Sequence, residues 1–155
     1  VAALGRAVPD GLSGAGIVGC RKHMPGHGRA TSDSHKELPR VDASDEELGV
    51  DIEPFRTLSS HPLGMSAHMV FEAWDADHPA TLSANVIREI IRGRIGFDGL
   101  LLTDDIDMEA LDGTIVERSI RALDHLGAGG GRDLEDRGLD PRVLRREVAE
   151  QLEVP

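Results

Sequence analysis

The sequence predicts an α/β fold of parallel β/α units, and three observations carry that expectation. Short, continuous apolar runs alternate with amphipathic helical patterns. Polar, chemistry-bearing residues follow the apolar runs. The length, 155 residues, suits one domain with a real core, yet falls short of the ~250 residues typical of a closed (β/α)8 barrel. Apolar strands alternating with amphipathic helices describe a parallel sheet covered by helices. A closed barrel and an open doubly wound sheet both satisfy the pattern. No G-x-G-x-x-G or G-x-x-x-x-G-K-[ST] signature follows any strand, which argues against nucleotide binding.

The elements follow in chain order. Residues 1–13 mix Ala, Leu and Val with Gly5, Pro9 and Gly11, a weak helix at best. Ile17-Val18-Gly19-Cys20 is a short apolar run, read as a buried strand ending near Lys22 and His23. Residues 24–42 hold Pro25, Gly26, Gly28 and Pro39 among polar residues. This is a long loop, and long loops inside domains tend to serve function or disorder. Ser44-Asp45-Glu46-Glu47 reads as a capping box, with Leu48, Ile52 and Phe55 following at helical spacing. Leu63-Gly64-Met65 is a second strand, trailed by Ser66, Ala67 and His68. Ser83 caps a third unit with Val86, Ile87, Ile90 and Ile91 on one helical face, and Gly96 ends it. After Gly99, Leu100-Leu101-Leu102 is the strongest strand signal and ends in Thr103-Asp104-Asp105. Ile115, Val116, Ile120, Leu123 and Leu126 mark one more amphipathic helix. The character then changes. A Gly-rich stretch at 127–131 leads into a charged segment, and Asp140-Pro141 opens a helix expected through Leu152. The expected division is therefore 1–126, a βα domain, and 127–155, a divergent tail.

Composition excludes several functions. The formal net charge of −11 comes with no basic run, so phosphate backbones and anionic lipid surfaces are repelled. Aromatics make up 3% with no Tyr, too few for a base-stacking surface. A small or neutral substrate, with neither nucleic acid nor membrane as partner, fits this balance. Cys20 is the single cysteine, which rules out an intramolecular disulfide; its apolar run suggests a buried, inert thiol. Neither a secretory h-region nor an apolar stretch of ~18 residues is seen, and a cytoplasmic address is expected. The chain begins at Val1 rather than Met and reads as cut from a longer one.

The chemistry gathers at the strand ends. Lys22 and His23 close the first strand, Ser66 and His68 follow the second, and Asp104 and Asp105 cap the third. In βα domains the C-terminal ends of parallel strands line the site. The loop of residues 24–42 leaves the same mouth and adds His27, Asp33 and His35. Metal hydrolysis could use these histidines and carboxylates, but their spacing matches no known zinc pattern and H-E-x-x-H is absent. Glycoside hydrolysis needs a carboxylate nucleophile and a proton donor on opposite sides of the scissile bond. Asp33-Ser34-His35 offers a mobile pair in which a carboxylate orients an imidazole for proton transfer. Asp104, at the end of a buried strand, is the natural nucleophile to face it.

Lys22-His23-Met24-Pro25-Gly26-His27-Gly28, then Asp33-Ser34-His35, then Thr103-Asp104-Asp105 resembles the family 3 β-N-acetylhexosaminidases of bacterial peptidoglycan recycling. Ile95-Gly96-Phe97-Asp98-Gly99 and Pro79-Ala80-Thr81-Leu82-Ser83 are similar to that family too. The likeness runs over residues 12–126. It implies a TIM barrel, of which this chain supplies about strands five to seven, and retaining exo-hydrolysis of terminal β-linked N-acetylglucosamine without metal or other cofactor. Asp104 is then the nucleophile and His35 the general acid and base, polarised by Asp33. Lys22 and His23 hold sugar hydroxyls and His68 lines the sugar pocket. The choice of Asp104 over Asp105, which could cap the next helix, rests on the family pattern alone. His27 is expected to fix its loop, and His61, His78, His125, Trp74 and Met65 to pack or face solvent.

The chain departs from that pattern at both ends. The family's early strands, with an acidic and an arginine residue that grip the N-acetylated sugar, have no counterpart. The closing eighth strand is missing, and 127–155 is unlike the family. Two alternatives follow: phosphorolysis, with phosphate replacing water as acceptor, and a non-catalytic half-barrel remnant.

Overall fold

The computed structural model describes residues 2–126. The tail of residues 127–155 and the helix expected from Asp140 to Leu152 lie outside the described residues. The chain runs through helix α1 (Ala2–Gly14), strand β1 (Cys20–Met24), strand β2 (Arg40–Val41), helix α2 (Asp45–Arg56), strand β3 (Leu63–Ser66) and strand β4 (Val70–Phe71). A 3₁₀ turn (Ala80–Leu82), a wide helix (Val86–Arg94), strand β5 (Leu100–Leu102) and helix α3 (Ile115–Leu126) complete it. Strands β1, β3 and β5 form one parallel sheet in that order, and β2 pairs in parallel with β4 beside it. Parallel strands joined by helical crossovers are the βα architecture that the alternating pattern predicts.

Local chemistry sets the helix boundaries. Ser44 and Glu47 close the expected capping box at the start of α2. Thr114 and Glu117 close another before α3 through reciprocal backbone and side-chain bonds. Ser83 Oγ accepts from the Val86 amide, as an N-cap does. Gly96, at φ +74°, lets the chain leave the wide helix in the left-handed region that side chains avoid. That helix ends on an i→i+5 bond from Ile95 N–H to the Ile90 carbonyl, a widening that an apolar periodicity does not announce.

The core forms on one face of the sheet. Leu48 and Ile52 of α2, Val86, Ile87, Ile90 and Ile91 of the wide helix, Phe97 and Leu101 are buried together. Each contributes about 1.5–3 kcal/mol of transfer free energy. Gly64 admits this packing: a Cβ there would lie 2.7 Å from Met24 Cε and 2.9 Å from Phe97 Cζ. The other face is bare. In register, Cys20, Leu63 and Leu100 stand side by side, as do Met65 and Leu102. Leu100 is 51% and Leu102 37% exposed, while Leu101 between them is buried.

Four expectations are corrected. The first strand begins at Cys20 and ends at Met24, so the run from Ile17 precedes it, and Ile17 and Val18 are exposed. Lys22 and His23 lie near the strand's end, as expected. Cys20 is exposed, because it belongs to the uncovered face. The weak N-terminal segment is a 13-residue helix, held by Arg6 Nη2 donating to the Thr57 carbonyl. The loop of residues 24–42 ends in a strand, since Arg40-Val41 finds Val70-Phe71. Only distant partners could decide these four. Arg21 is buried under the covered face, with Nε and Nη2 lacking hydrogen-bond partners among the described residues.

Candidate active site

Strict alternation along β1 would send Lys22 and His23 to opposite faces. The register of β1 against β3 shifts between Arg21 and Met24, and such an irregularity re-aims side chains. As a result both residues line one cavity. Its volume is about 610 Å³, and Asp33, His35, His27 and Asp104 share its wall. That is the size range of small-molecule sites. The strand ends and the long loop meet as their sequence positions predict.

On the strand side, His23 Nε2 sits 3.3 Å from Asp104 Oδ2, with the two side chains 24% and 19% exposed. Burial pulls the His23 pKa below its ordinary value, against the opposing pull of the Asp104 charge. The neighbouring carboxylates also separate. Asp104 Oδ1 accepts from the Asp105 amide, whereas Asp105 Oδ1 accepts from the Asp107 amide. Asp104 thus stands on the cavity wall, while Asp105 closes the next turn and does not line the cavity.

On the loop side, His35 Nδ1 donates to Asp33 Oδ1 at 2.9 Å, and the His35 amide donates to the same oxygen at 3.0 Å. The amide first and the ring second hold the Asp33 carboxyl below its usual pKa. With Nδ1–H engaged, Nε2 is left to take or give a proton. Both side chains are open to solvent, 77% for His35 and 51% for Asp33.

His68 departs from its expected place. It is wholly buried beneath the cavity rather than on its lining. Nδ1 lies 2.9 Å from Thr81 Oγ1 and Nε2 lies 2.9 Å from the Asp105 carbonyl. Thr81 carries no catalytic signal in sequence, since a buried threonine between Ala80 and Leu82 reads as packing. His27, expected only to fix its loop, lines the cavity with its ring 5.5 Å from that of His23. His78 meets Asp75, and Trp74 packs on Phe71 and donates to Asp45 at 2.6 Å, as packing residues do. Among the described residues no three His, Cys, Asp or Glu side chains gather as a metal would require. Among them, too, no helix is long and apolar enough to cross a membrane.

A parallel βα scaffold with a strand-end carboxylate sharing a cavity with a carboxylate-oriented imidazole has the site architecture of an acid–base glycosidase domain. The chain belongs to glycosyl hydrolase family 3: the family's N-terminal domain matches residues 1–130, so the likeness takes in α1 as well. The family's N-terminal domain has a TIM-barrel-like βα fold. The chain is 40% identical to a β-hexosaminidase of Chromobacterium violaceum over 128 residues, 79% of this chain and 36% of that protein. It thus spans about a third of that relative's length. Three solved structures are similar. A family 3 β-N-acetylglucosaminidase from a Paenibacillus species superposes with a TM-score of 0.78 at 33% identity, over 97% of this chain and 30% of that one. NagZ of Neisseria gonorrhoeae, in complex with N-trifluoroacetyl-D-glucosamine, gives 0.72 at 32%, over 99% and 44%. Zinc-bound CbsA of Thermotoga neapolitana gives 0.72 at 35%, over 93% and 32%.

Proposed function

We propose that this chain carries the catalytic half of a retaining β-N-acetylhexosaminidase acting on terminal N-acetylglucosamine of cell-wall fragments in the cytoplasm. One observation carries the reading: Asp104 and the Asp33–His35 pair line the same cavity. In this mechanism Asp104 attacks the anomeric carbon while His35 Nε2 protonates the departing oxygen. His35 then deprotonates the water that releases the sugar from Asp104. Lys22 and His23 bind sugar hydroxyls beside the nucleophile. Relatives named for β-N-acetylglucosaminidase activity, and one holding a glucosamine derivative, support the substrate class. We further assign β1, β3 and β5 to about the fifth to seventh strands of the barrel, with the bare face of Leu100 and Leu102 turned to its interior.

The test joins this chain to the first half of a family relative and supplies a chromogenic β-N-acetylglucosaminide. The joined enzyme is expected to turn over, to keep its rate in chelator, and to show a sugar adduct on Asp104 by mass spectrometry. The chain alone is expected to be inactive or nearly so. An ordinary rate from the lone chain would overturn the half-barrel assignment. Activity lost to chelator and restored by zinc would put a metal hydrolase first.

A further inference from the structure

Three buried polar side chains lie under the strand ends where an apolar core would be expected. Ser66, His68 and Thr81 are all fully buried, and groups so placed must satisfy one another. Their protons can be assigned from the acceptors. The Asp105 carbonyl has no proton to give, so His68 Nε2 carries the hydrogen of their 2.9 Å bond. A neutral ring then presents a lone pair at Nδ1, and Thr81 Oγ1 donates to it across 2.9 Å. Thr81 has one hydroxyl hydrogen, for which the Ala67 carbonyl at 3.0 Å competes. That carbonyl retains the Thr81 amide at 3.2 Å. Ser66 Oγ lies 2.8 Å from Thr81 Oγ1 and donates to the Leu102 carbonyl at 3.3 Å. Burial pulls the His68 pKa below its ordinary value, ahead of the opposing pull of the Asp105 carbonyl and the nearby carboxylates, in keeping with the neutral ring. One connected network thus runs from Ser66 through Thr81 and His68 to the Asp105 carbonyl.

That carbonyl belongs to the turn that carries the nucleophile. It also accepts from the Met108 amide at 3.2 Å, while the Asp105 amide binds Asp104 Oδ1 at 3.0 Å. Resting on the glycosidase reading above, we propose that His68 is a positioning residue. Fixed at Nδ1 by Thr81, it clamps the Asp105 carbonyl through Nε2–H and so sets the Asp104 carboxylate for attack, without touching sugar. A shift of about 1 Å at a reacting group costs on the order of 100-fold in rate, which gives the clamp its expected weight.

The test uses His68→Leu, which removes the donor, and His68→Gln, whose amide nitrogen can reach the Nε2 position. Thr81→Val and Thr81→Ser form the matching pair for the other end of the ring. Kinetics are read on the joined enzyme, and amide exchange at residues 105–108 on the full chain as well. His68→Leu and Thr81→Val are expected to lower kcat by about 100-fold with KM within about threefold, and to speed exchange at 105–108. His68→Gln and Thr81→Ser are expected to restore most of both. Should His68→Leu fail to fold, the Thr81 pair carries the same decision. Exchange unchanged in the donor-less variants would overturn the clamp. Faster exchange with wild-type kcat would overturn the positioning role. A wild-type joined enzyme with no turnover of N-acetylglucosaminides would overturn the sugar reading itself. In that case exchange still reports whether the clamp exists.

Discussion

The two sides of the cavity are built differently. Asp104, just past the end of β5, and His23, within β1, are mostly shielded from solvent, near a buried polar network. Asp33 and His35 face solvent on a loop and hold chiefly each other, with Lys36 Nζ 4.0 Å from Asp33 as the further contact. The contrast matches the two jobs proposed above. A nucleophile has one target and gains from being fixed, since misplacement raises the barrier. A residue that first protonates a leaving oxygen and later deprotonates water serves two positions. It gains from a carrier that moves while its own carboxylate keeps the ring oriented.

This contrast can be broken experimentally on the joined enzyme. The largest effect belongs to Asp104→Ala, expected to lower kcat by ~10⁴-fold or more for every leaving group, because the group that forms the covalent intermediate is removed. Asp105→Ala, which loosens only a turn, is expected to stay within about tenfold. Equal losses in steady-state kinetics would erase the distinction drawn between the two carboxylates.

His35→Ala comes next. Natural disaccharides are expected to slow by ~10²–10⁴-fold, whereas glycosylation by a nitrophenyl sugar, whose leaving group needs little protonation, is largely spared. The adduct on Asp104 then accumulates, and azide, which needs no deprotonation, restores turnover and yields the β-glycosyl azide. Pre-steady-state bursts and intact mass read both steps. Wild-type rates on disaccharides would remove His35 from the mechanism.

Asp33→Ala is expected to cost about tenfold, between wild type and His35→Ala, since the ring stays present but loses its orientation. The pair also has a pH signature. The folded Asp33 pKa is depressed, so its contribution is complete above the ordinary value of 3.8. It is lost only as pH falls through the lower folded value. A carboxyl-carbon titration with its midpoint at or above 3.8 would contradict the observed pairing.

The smallest effect separates the sides by stability. Burial depresses the folded pKa values of His68 and His23 from 6.5. As pH falls below 6.5 the unfolded chain therefore binds protons that the folded one refuses, and stability declines until the folded values are reached. Thermal melts from pH 7.5 to pH 5 should show this slope. His68→Gln should flatten it.

Much of this molecule was legible in its sequence, and the legible parts share a scale. The capping box at Ser44, the stop at Gly96, the apolar stripe of Val86 to Ile91 and the strands at Leu63 and Leu100 are short-range features. They depend on neighbours three or four residues away, or on alternation along a few residues. The meeting of Lys22, His23, Asp33, His35 and Asp104 in one cavity also follows from strand order, because parallel strands bring their C-terminal ends to one side. What sequence could not decide depended on register and on distant partners. Whether Cys20 is covered, which way Lys22 and His23 point after the shift in β1, and where Arg40-Val41 pairs are settled by residues far along the chain. So is the place of His68. As a lone histidine after a strand it reads as a pocket residue. The hydroxyl of Thr81 and the carbonyl of Asp105, 13 and 37 residues away, draw it beneath the site, because a buried imidazole goes where both its nitrogens find partners.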